Sequence, residues 1–310
     1  MSEKKKFNIE DEIDLSKLFS SFLKNKFLIL SITSFFSISS IIYSLSMPNQ
    51  YQASMVIAPI SNDSGSIASS IGSSGLGGLA SIAGVNLSND GVSEAKIAIQ
   101  VMQSWGFIEE FIEKNNIAKY LVASDSWDIT NNSMIIDNKI YDVKNDKWLI
   151  TEPTSWSLYR SFSDRLSVQE DLKSGMTTVS FKYFSPTIAK QWVELLVRDI
   201  NDFMKKRELN KVDKSISYLQ EQINNTSIKD MENVFYQIIA EQTKTKMLAE
   251  ATPEYVFVTI SKAMVPEEKS EPTRSIIVII ATIIGFIFSL LISLIKYHKD
   301  GFSLQPDKDN

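Results

Sequence analysis

Apolar positions along the chain follow three different patterns. Two stretches are uncharged and mainly apolar, Phe27 to Met47 and Ser275 to Ile295, each 21 residues long. At about 1.5 Å per residue, either helix would cross a hydrocarbon core of roughly 30 Å. The 227 residues between them, Pro48 to Arg274, alternate between a period of two and a period near 3.6. The expected organisation is therefore a segment 1–26, a span 27–47, a folded domain 48–274, a second span 275–295 and a tail 296–310.

Within the domain, Tyr51 to Ala58 reads as a strand ended by Pro59, and Ser93 to Asn116 as helix. Trp127 to Trp148 reads as a small turn-rich hairpin, and Thr154 to Arg165 as a helix. Leu166–Glu170 and Met176–Phe184 alternate as two strands around Lys173-Ser-Gly175. Ser185-Pro186 then supplies an N-cap and a first-turn proline for a long helix. Ile188, Trp192, Leu196, Ile200 and Phe203 line one face of it. Leu209, Val212, Ile216, Leu219 and Ile223 continue in the three-four alternation of a coiled-coil seam. After Asn224-Asn-Thr226, Ser227 with Asp230 has the form of a capping box for a second helix, whose period is kept by Ile228, Met231, Phe235, Ile238 and Leu248 until Pro253. Long helices thus fill about 186–250. Tyr255 to Ile260 is a returning strand expected to pair with 51–58, and the fold class is α+β.

Charge decides the orientation. Lys4, Lys5, Lys6, Lys17, Lys24 and Lys26 precede the first span, and no Lys or Arg follows it until Lys96. The positive-inside rule puts the N-terminus in the cytoplasm and the domain on the far side; two spans then return the C-terminus to the cytoplasm. A cleaved signal peptide fits less well, because the apolar run is long and Asp11, Glu12 and Asp14 stand before it. Residues 8 to 26 read as an amphipathic helix at the interface. Small residues recur within the spans: Ser34, Ser37, Ser40 and Ser44 in the first, and Ala281, Gly285, Ser289 and Ser293 every fourth position in the second. Such a row lets helix backbones approach, so these residues are the candidate packing face.

Reactive chemistry is sparse. There is no cysteine, and the one histidine, His298, lies beyond the second span. That excludes disulfides, thiolate catalysis and, within the domain, a Ser-His-Asp group or a histidine-ligated metal. A net charge of −5 gives no footprint for nucleic acid. Glu109, Glu110 and Glu113 beside Lys114 read as a solvated helix face, and Asp125 and Asp128 lack the ligand spacing of a calcium loop. Trp127, Trp148 and Trp156 are able to stack on sugars, but the simpler expectation is part of the core. The Ser- and Gly-crowded stretch Ser61 to Gly91 has no Gly-Lys-Ser/Thr and reads as a loop or subunit contact rather than a phosphate site. No catalytic, cofactor or metal residue is expected.

Several stretches together resemble the Wzz family of polysaccharide chain-length determinants, the polysaccharide co-polymerases. Glu12-Ile-Asp-Leu15 is similar to its N-terminal entry and Leu76-Gly-Gly-Leu-Ala-Ser-Ile-Ala-Gly84 to its glycine-rich loop. Gly175-Met-Thr-Thr-Val-Ser180, with Ser185-Pro186 and the long helix, resembles its strand–helix junction. Tyr255-Val-Phe through Val265-Pro-Glu-Glu-Lys-Ser-Glu-Pro-Thr-Arg274 resembles the proline-containing segment before its second span. Two features depart from the pattern: only Pro266 and Pro272 stand in that segment, and Trp105 occupies a position where a basic residue is common. With 15 residues after the second span, no Gly-Lys-Thr loop and no tyrosine cluster, the expected type is one without a kinase domain.

The resemblance implies a periplasmic, membrane-proximal α/β domain with a long projecting helical hairpin, and a homo-oligomer in the bacterial inner membrane. It implies a non-enzymatic regulator of O-antigen, capsule or exopolysaccharide length, with a membrane polymerase and a lipid-linked polysaccharide as partners. Pro266, Pro272 and Arg274 are the expected polymerase-coupling segment. The alternative is a two-span periplasmic sensor or scaffold, for which terminal segments of 26 and 15 residues leave little room for an output domain.

Overall fold

The computed structural model describes residues 25–60, 93–128, 130–131 and 133–302, without the side chains of 125 and 297–302. The motif Glu12–Leu15, nearly all of the amphipathic segment 8–26, the stretch Ser61–Gly91 and the tail from 303 lie outside the described residues. The chain divides into two compact units. One comprises Met1–Pro48 with Glu271–Asn310, the other Asn49–Ser270.

The smaller unit contains α1 (Lys26–Ser46) and α8 (Arg274–Phe302). The larger unit is α+β. It is organised on a four-stranded antiparallel sheet of order β6-β7-β1-β8, where β1 is Tyr51–Pro59, β6 Leu166–Glu170, β7 Thr177–Tyr183 and β8 Phe257–Ser261. β1 sits between two partners: Tyr51 faces Tyr183 and Ile57 faces Thr177 on one side, while Ala58 faces Val258 on the other. Its alternation explains its place. Ala53, Met55 and Ile57 are buried, and Ser54 on the other face meets Ser180 Oγ at 2.9 Å. The expected pairing of 51–58 with the returning strand is present. Gly175, at φ 69°, closes the turn between β6 and β7, a conformation that favours glycine.

Helices α2 (Glu94–Met102), α3 (Trp105–Lys114), α4 (Ala118–Val122), α5 (Ser155–Ser163) and α6 (Pro186–Asn225) contribute the rest of the core. An aromatic chain ties three of them to the sheet. Phe111 of α3 meets Phe162 of α5 at 5.4 Å, Phe162 meets Phe181 of β7 at 4.7 Å, and Phe181 meets Trp192 of α6 at 5.4 Å. Such pairs add about 0.5–1.5 kcal/mol each beyond the area they bury. Tyr183, also against Trp192, donates its hydroxyl to Tyr120 O at 2.6 Å, and burial raises its phenol well above the ordinary range.

α6 begins as the sequence predicts, with Ser185 Oγ accepting from Ile188 N and Pro186 in the first turn. Its 40 residues amount to about 60 Å. The first half lies on the sheet; from Asp213 onward only Leu219 is buried, and this half is accompanied by α7 (Lys229–Ala251). The seam is thinner than its periodicity suggests. Val212 and Leu219 are buried, Leu209, Ile216 and Ile223 are half-buried, and Leu248 of α7 is 60% exposed.

Three sequence readings are corrected. The helix over 93–116 is two helices, because Ser104 adopts extended backbone as the N-cap of α3 and its hydroxyl back-bonds to Val101 O. The single hairpin over 127–148 is two. β2 (Ser124–Asp128) pairs with β3 (Ser133–Ile136), and β4 (Tyr141–Asp142) pairs with β5 (Lys147–Trp148). Asp128 and Asp142 each accept backbone N–H groups of their own turns, so each closes a separate reversal. The Ser227/Asp230 capping box is absent: Ile228 is the N-cap residue of α7, and the local bond is Ile228 N to Thr226 Oγ1 at 3.4 Å.

The join between hairpin and sheet depends on one amide. Asn201, 4% exposed, donates through Nδ2 to Phe257 O at 3.0 Å and accepts from Val256 N and Phe257 N at 2.9 Å each. One turn later, Lys205 Nζ donates to Thr252 O at 2.7 Å, placing a cation at the C-terminus of α7. Removing the amide leaves three buried backbone groups without partners, each costing about 1–3 kcal/mol. Asn201→Ala should therefore lower stability by about 3 kcal/mol or more, measured by denaturant titration of the intact protein. Asn201→Asp, which keeps the acceptor but buries a charge, should not restore it.

Candidate functional site

Most titratable side chains described in the larger unit are dispersed over its surface. Among the described residues there is no group of three or more His, Cys, Asp or Glu placed to hold a metal ion. Glu110 and Glu113 are exposed on α3, and Asp128 is occupied by Asn131 Nδ2, Thr130 N and Asn131 N, which together lower its pKa. Trp127 and Trp148 are half-buried beside Tyr51 and Tyr141, whereas Trp156 is 63% exposed. The best-defined candidate site is instead the seam of the two apolar helices.

α1 and α8 run antiparallel along it. Asn25 Nδ2 donates to Ser293 Oγ at 3.2 Å, Phe36 faces Gly285, and Arg274 Nε donates to Ser44 O at 3.2 Å. Residue numbers rise along one helix as they fall along the other. At Gly285 the approach is so close that an added Cβ would lie 2.6 Å from Phe36 Cβ. No side chain fits there without moving a helix. Ser289 and Ser293 are fully buried and Ala281 is half-buried, so the four-residue row forms one face of α8. On α1, Ser40 and Ser44 are buried and Ser37 half-buried, but Ser34 is exposed. Ser34 falls out of the row because the three- and four-residue steps drift around the helix; Thr33 and Phe36 occupy the seam in its place.

Two of the seam hydroxyls are satisfied as an apolar medium requires. Ser40 donates to Ser37 O at 2.8 Å and Ser289 to Phe286 O at 2.6 Å, so each satisfies its own helix. Ser44 Oγ and Thr33 Oγ1 are buried and have no hydrogen-bond partner among the described residues. The outward face is aliphatic: Ile279, Ile283, Ile287 and Leu291 are more than half exposed. Both helices are long and apolar enough to cross a membrane.

Of the segment preceding α8, Pro266 is half-buried and follows Ala263, which is 4% exposed. Ser270 N and Oγ both donate to Gln50 O, at 2.8 and 3.2 Å, tying this segment to the start of β1. Pro272, half-buried, follows a cis peptide bond, and Arg274 opens α8. Sequence reasoning missed Phe36, Asn25 and Asn201. Asn201 had a signal: it is an amide in the otherwise apolar row Val193, Val197, Met204 of α6.

Comparison with known proteins gives the following. The family model "Chain length determinant protein", Wzz, matches residues 11–115, which shows the Wzz-type resemblance over that third of the chain. No curated protein matches the sequence. Among solved structures, a full-length bacterial polysaccharide co-polymerase is similar at 11% identity, over 95% of this chain and 100% of that one, with a TM-score of 0.41. A fragment of WzzB, polysaccharide co-polymerase from Salmonella Typhimurium, is similar at 11% identity over 72% and 100%, with a TM-score of 0.30. A mutant of the Shigella flexneri lipopolysaccharide O-antigen chain-length regulator WzzBSF is similar at 9% over 71% and 100%, with a TM-score of 0.24.

The seam makes a direct prediction, simplified by the lack of native cysteine. In membranes, Asn25→Cys with Ser293→Cys should form a disulfide on mild oxidation. Asn25→Cys with Leu291→Cys should not, because Leu291 lies on the exposed face. Adding Gly285→Leu to the first pair should sharply reduce the cross-link, read by gel mobility.

Proposed function

We propose, from the Wzz-type domain at residues 11–115 as premise, that this chain is a non-enzymatic regulator of the length to which a bacterial surface polysaccharide is polymerised. In this reading residues 27–47 and 275–295, which make up most of α1 and α8, are inner-membrane spans, residues 1–26 and 296–310 lie in the cytoplasm, and residues 48–274 form a periplasmic domain. The lysine asymmetry around the first span supports that orientation. The protein acts as a homo-oligomer that modulates a membrane polymerase extending a lipid-linked chain.

The observation that carries the reading is the family match together with the two apolar helices that bracket the domain. A regulator of this kind needs geometry rather than a nucleophile. The α8 row Ala281, Gly285, Ser289 and Ser293 sets the helix pairing, and Pro266, Pro272 and Arg274 form the segment through which the domain couples to the polymerase. The tie from Ser270 to Gln50 supports this, since it joins that segment to the strand following α1.

Deleting the gene should change the modal length of the cell's polysaccharide on a gel, and the native chain should restore it. Gly285→Leu, expressed at equal level, should restore it poorly. An unaltered length distribution in the deletion strain would sink the proposal. Electron microscopy of gently extracted protein should show closed oligomers rather than monomers.

A further inference from the structure

We propose that the groove between α3 and α6 binds a segment of acidic saccharide directly. The proposal deepens the reading above and rests on it for the identity of the polymer. A cavity of about 770 Å³ opens between the two helices, within the usual range for a ligand site. Phe107 and Phe111 form a buried apolar floor, and Phe203 meets Phe107 edge-on at 5.6 Å.

Cations dominate the α6 wall. Lys206, Arg207, Lys211 and Lys214 line the groove over nine residues, about 12 Å of helix. Arg207 and Lys211 stand four apart, as like charges that repel. Lys206, Arg207 and Lys214 have no ion-pair partner among the described residues, while Lys211 reaches Glu208 at 3.3 Å. The opposite wall is closed by a satisfied cluster: Lys114 spans from α3 to Asp199 at 2.9 Å, and Asn115 Nδ2 donates to the same carboxylate at 3.2 Å. Asp199 is 5% exposed, so the contact fixes the width of the groove rather than offering a free charge.

The remaining acidic groups narrow the ligand class. Glu110 and Asp202 also line the groove, and Glu94 exerts its charge on Arg207 and Lys211 from α2. A site for phosphate alone gains nothing from such carboxylates. A site for a neutral sugar gains nothing from three unpartnered cations. A chain of sugars carrying carboxylates uses both, because hydroxyls donate to Glu110 and Asp202 while its acid groups accept from Lys206, Arg207 and Lys214. Extension along the helix axis suits a linear polymer, and Asn210, between the cations, supplies both donor and acceptor.

The test uses the full chain in nanodiscs, with tetragalacturonate as the probe. Maltotetraose, inorganic phosphate and an acidic tetrapeptide of glutamate are the comparisons. Saturable binding of tetragalacturonate, weakening with salt, is expected, with each comparison at least about tenfold weaker. Lys206→Glu with Lys214→Glu should weaken it about tenfold, and Lys244→Glu on α7 should leave it unchanged. If the double reversal fails to fold, Lys206→Gln with Lys214→Gln serves, with a smaller loss. No saturable binding, equal binding by the variants, or equal binding of the glutamate peptide overturns the assignment. If the deletion strain shows altered lengths yet tetragalacturonate does not bind, the groove assignment falls alone. If it binds and the deletion leaves lengths unaltered, the regulatory reading falls and the groove stands.

Discussion

The larger unit depends on the double pairing of β1. This strand follows directly from α1, yet it occupies an interior position in the sheet, with β7 on one side and β8 on the other. Antiparallel pairing with β8 forces the last strand to run back beside the first, so entry to and exit from the unit lie at neighbouring strand ends. Ser270 completes the same constraint by donating to Gln50 O. Every segment between β1 and β8 is therefore a closed excursion from one sheet, however long it is.

The excursion built from α6 and α7 is held differently at its two ends. At its base, Asn201 bonds three backbone groups of the incoming strand and Lys205 bonds the last turn of α7. Toward its far end, burial falls to a single leucine, and an exposed ion pair, Lys246 with Asp213 at 2.7 Å, joins the two helices. Exposed pairs contribute little, about 0–1 kcal/mol. Stability is thus concentrated where the hairpin meets the sheet, and the distal helices rely on helix propensity and a thin seam.

Much of this was legible in the sequence because its signals are local. An uncharged run of 21 residues, a serine followed by proline, and strict alternation in 51–58 each name an element without reference to its neighbours. The row at 281, 285, 289 and 293 was equally readable, because its period is that of the helix itself. What stayed hidden depends on partners distant in sequence. Nothing about Phe36 announces that it faces Gly285, and Ser34 looks as good a seam residue as Ser40 until the partner helix selects one face. The groove is a stronger case: Lys114 and Lys206 are 92 positions apart, and their relation exists only once the aromatic floor has joined α3 to α6. The capping box failed for a local reason, since Thr226 offered a competing oxygen one residue earlier.

The uneven burial of α6 also has an evolutionary consequence. Asn201 and Lys205 fix the register of the base, while beyond Asp213 few side chains are committed to any neighbour. Matched insertions or deletions of whole turns in the outer parts of α6 and α7 would leave the sheet, the base and the groove in register. The fold is thereby open to changes in hairpin reach between lineages without redesign of its core, and divergence in this protein's relatives should accumulate at the tip first.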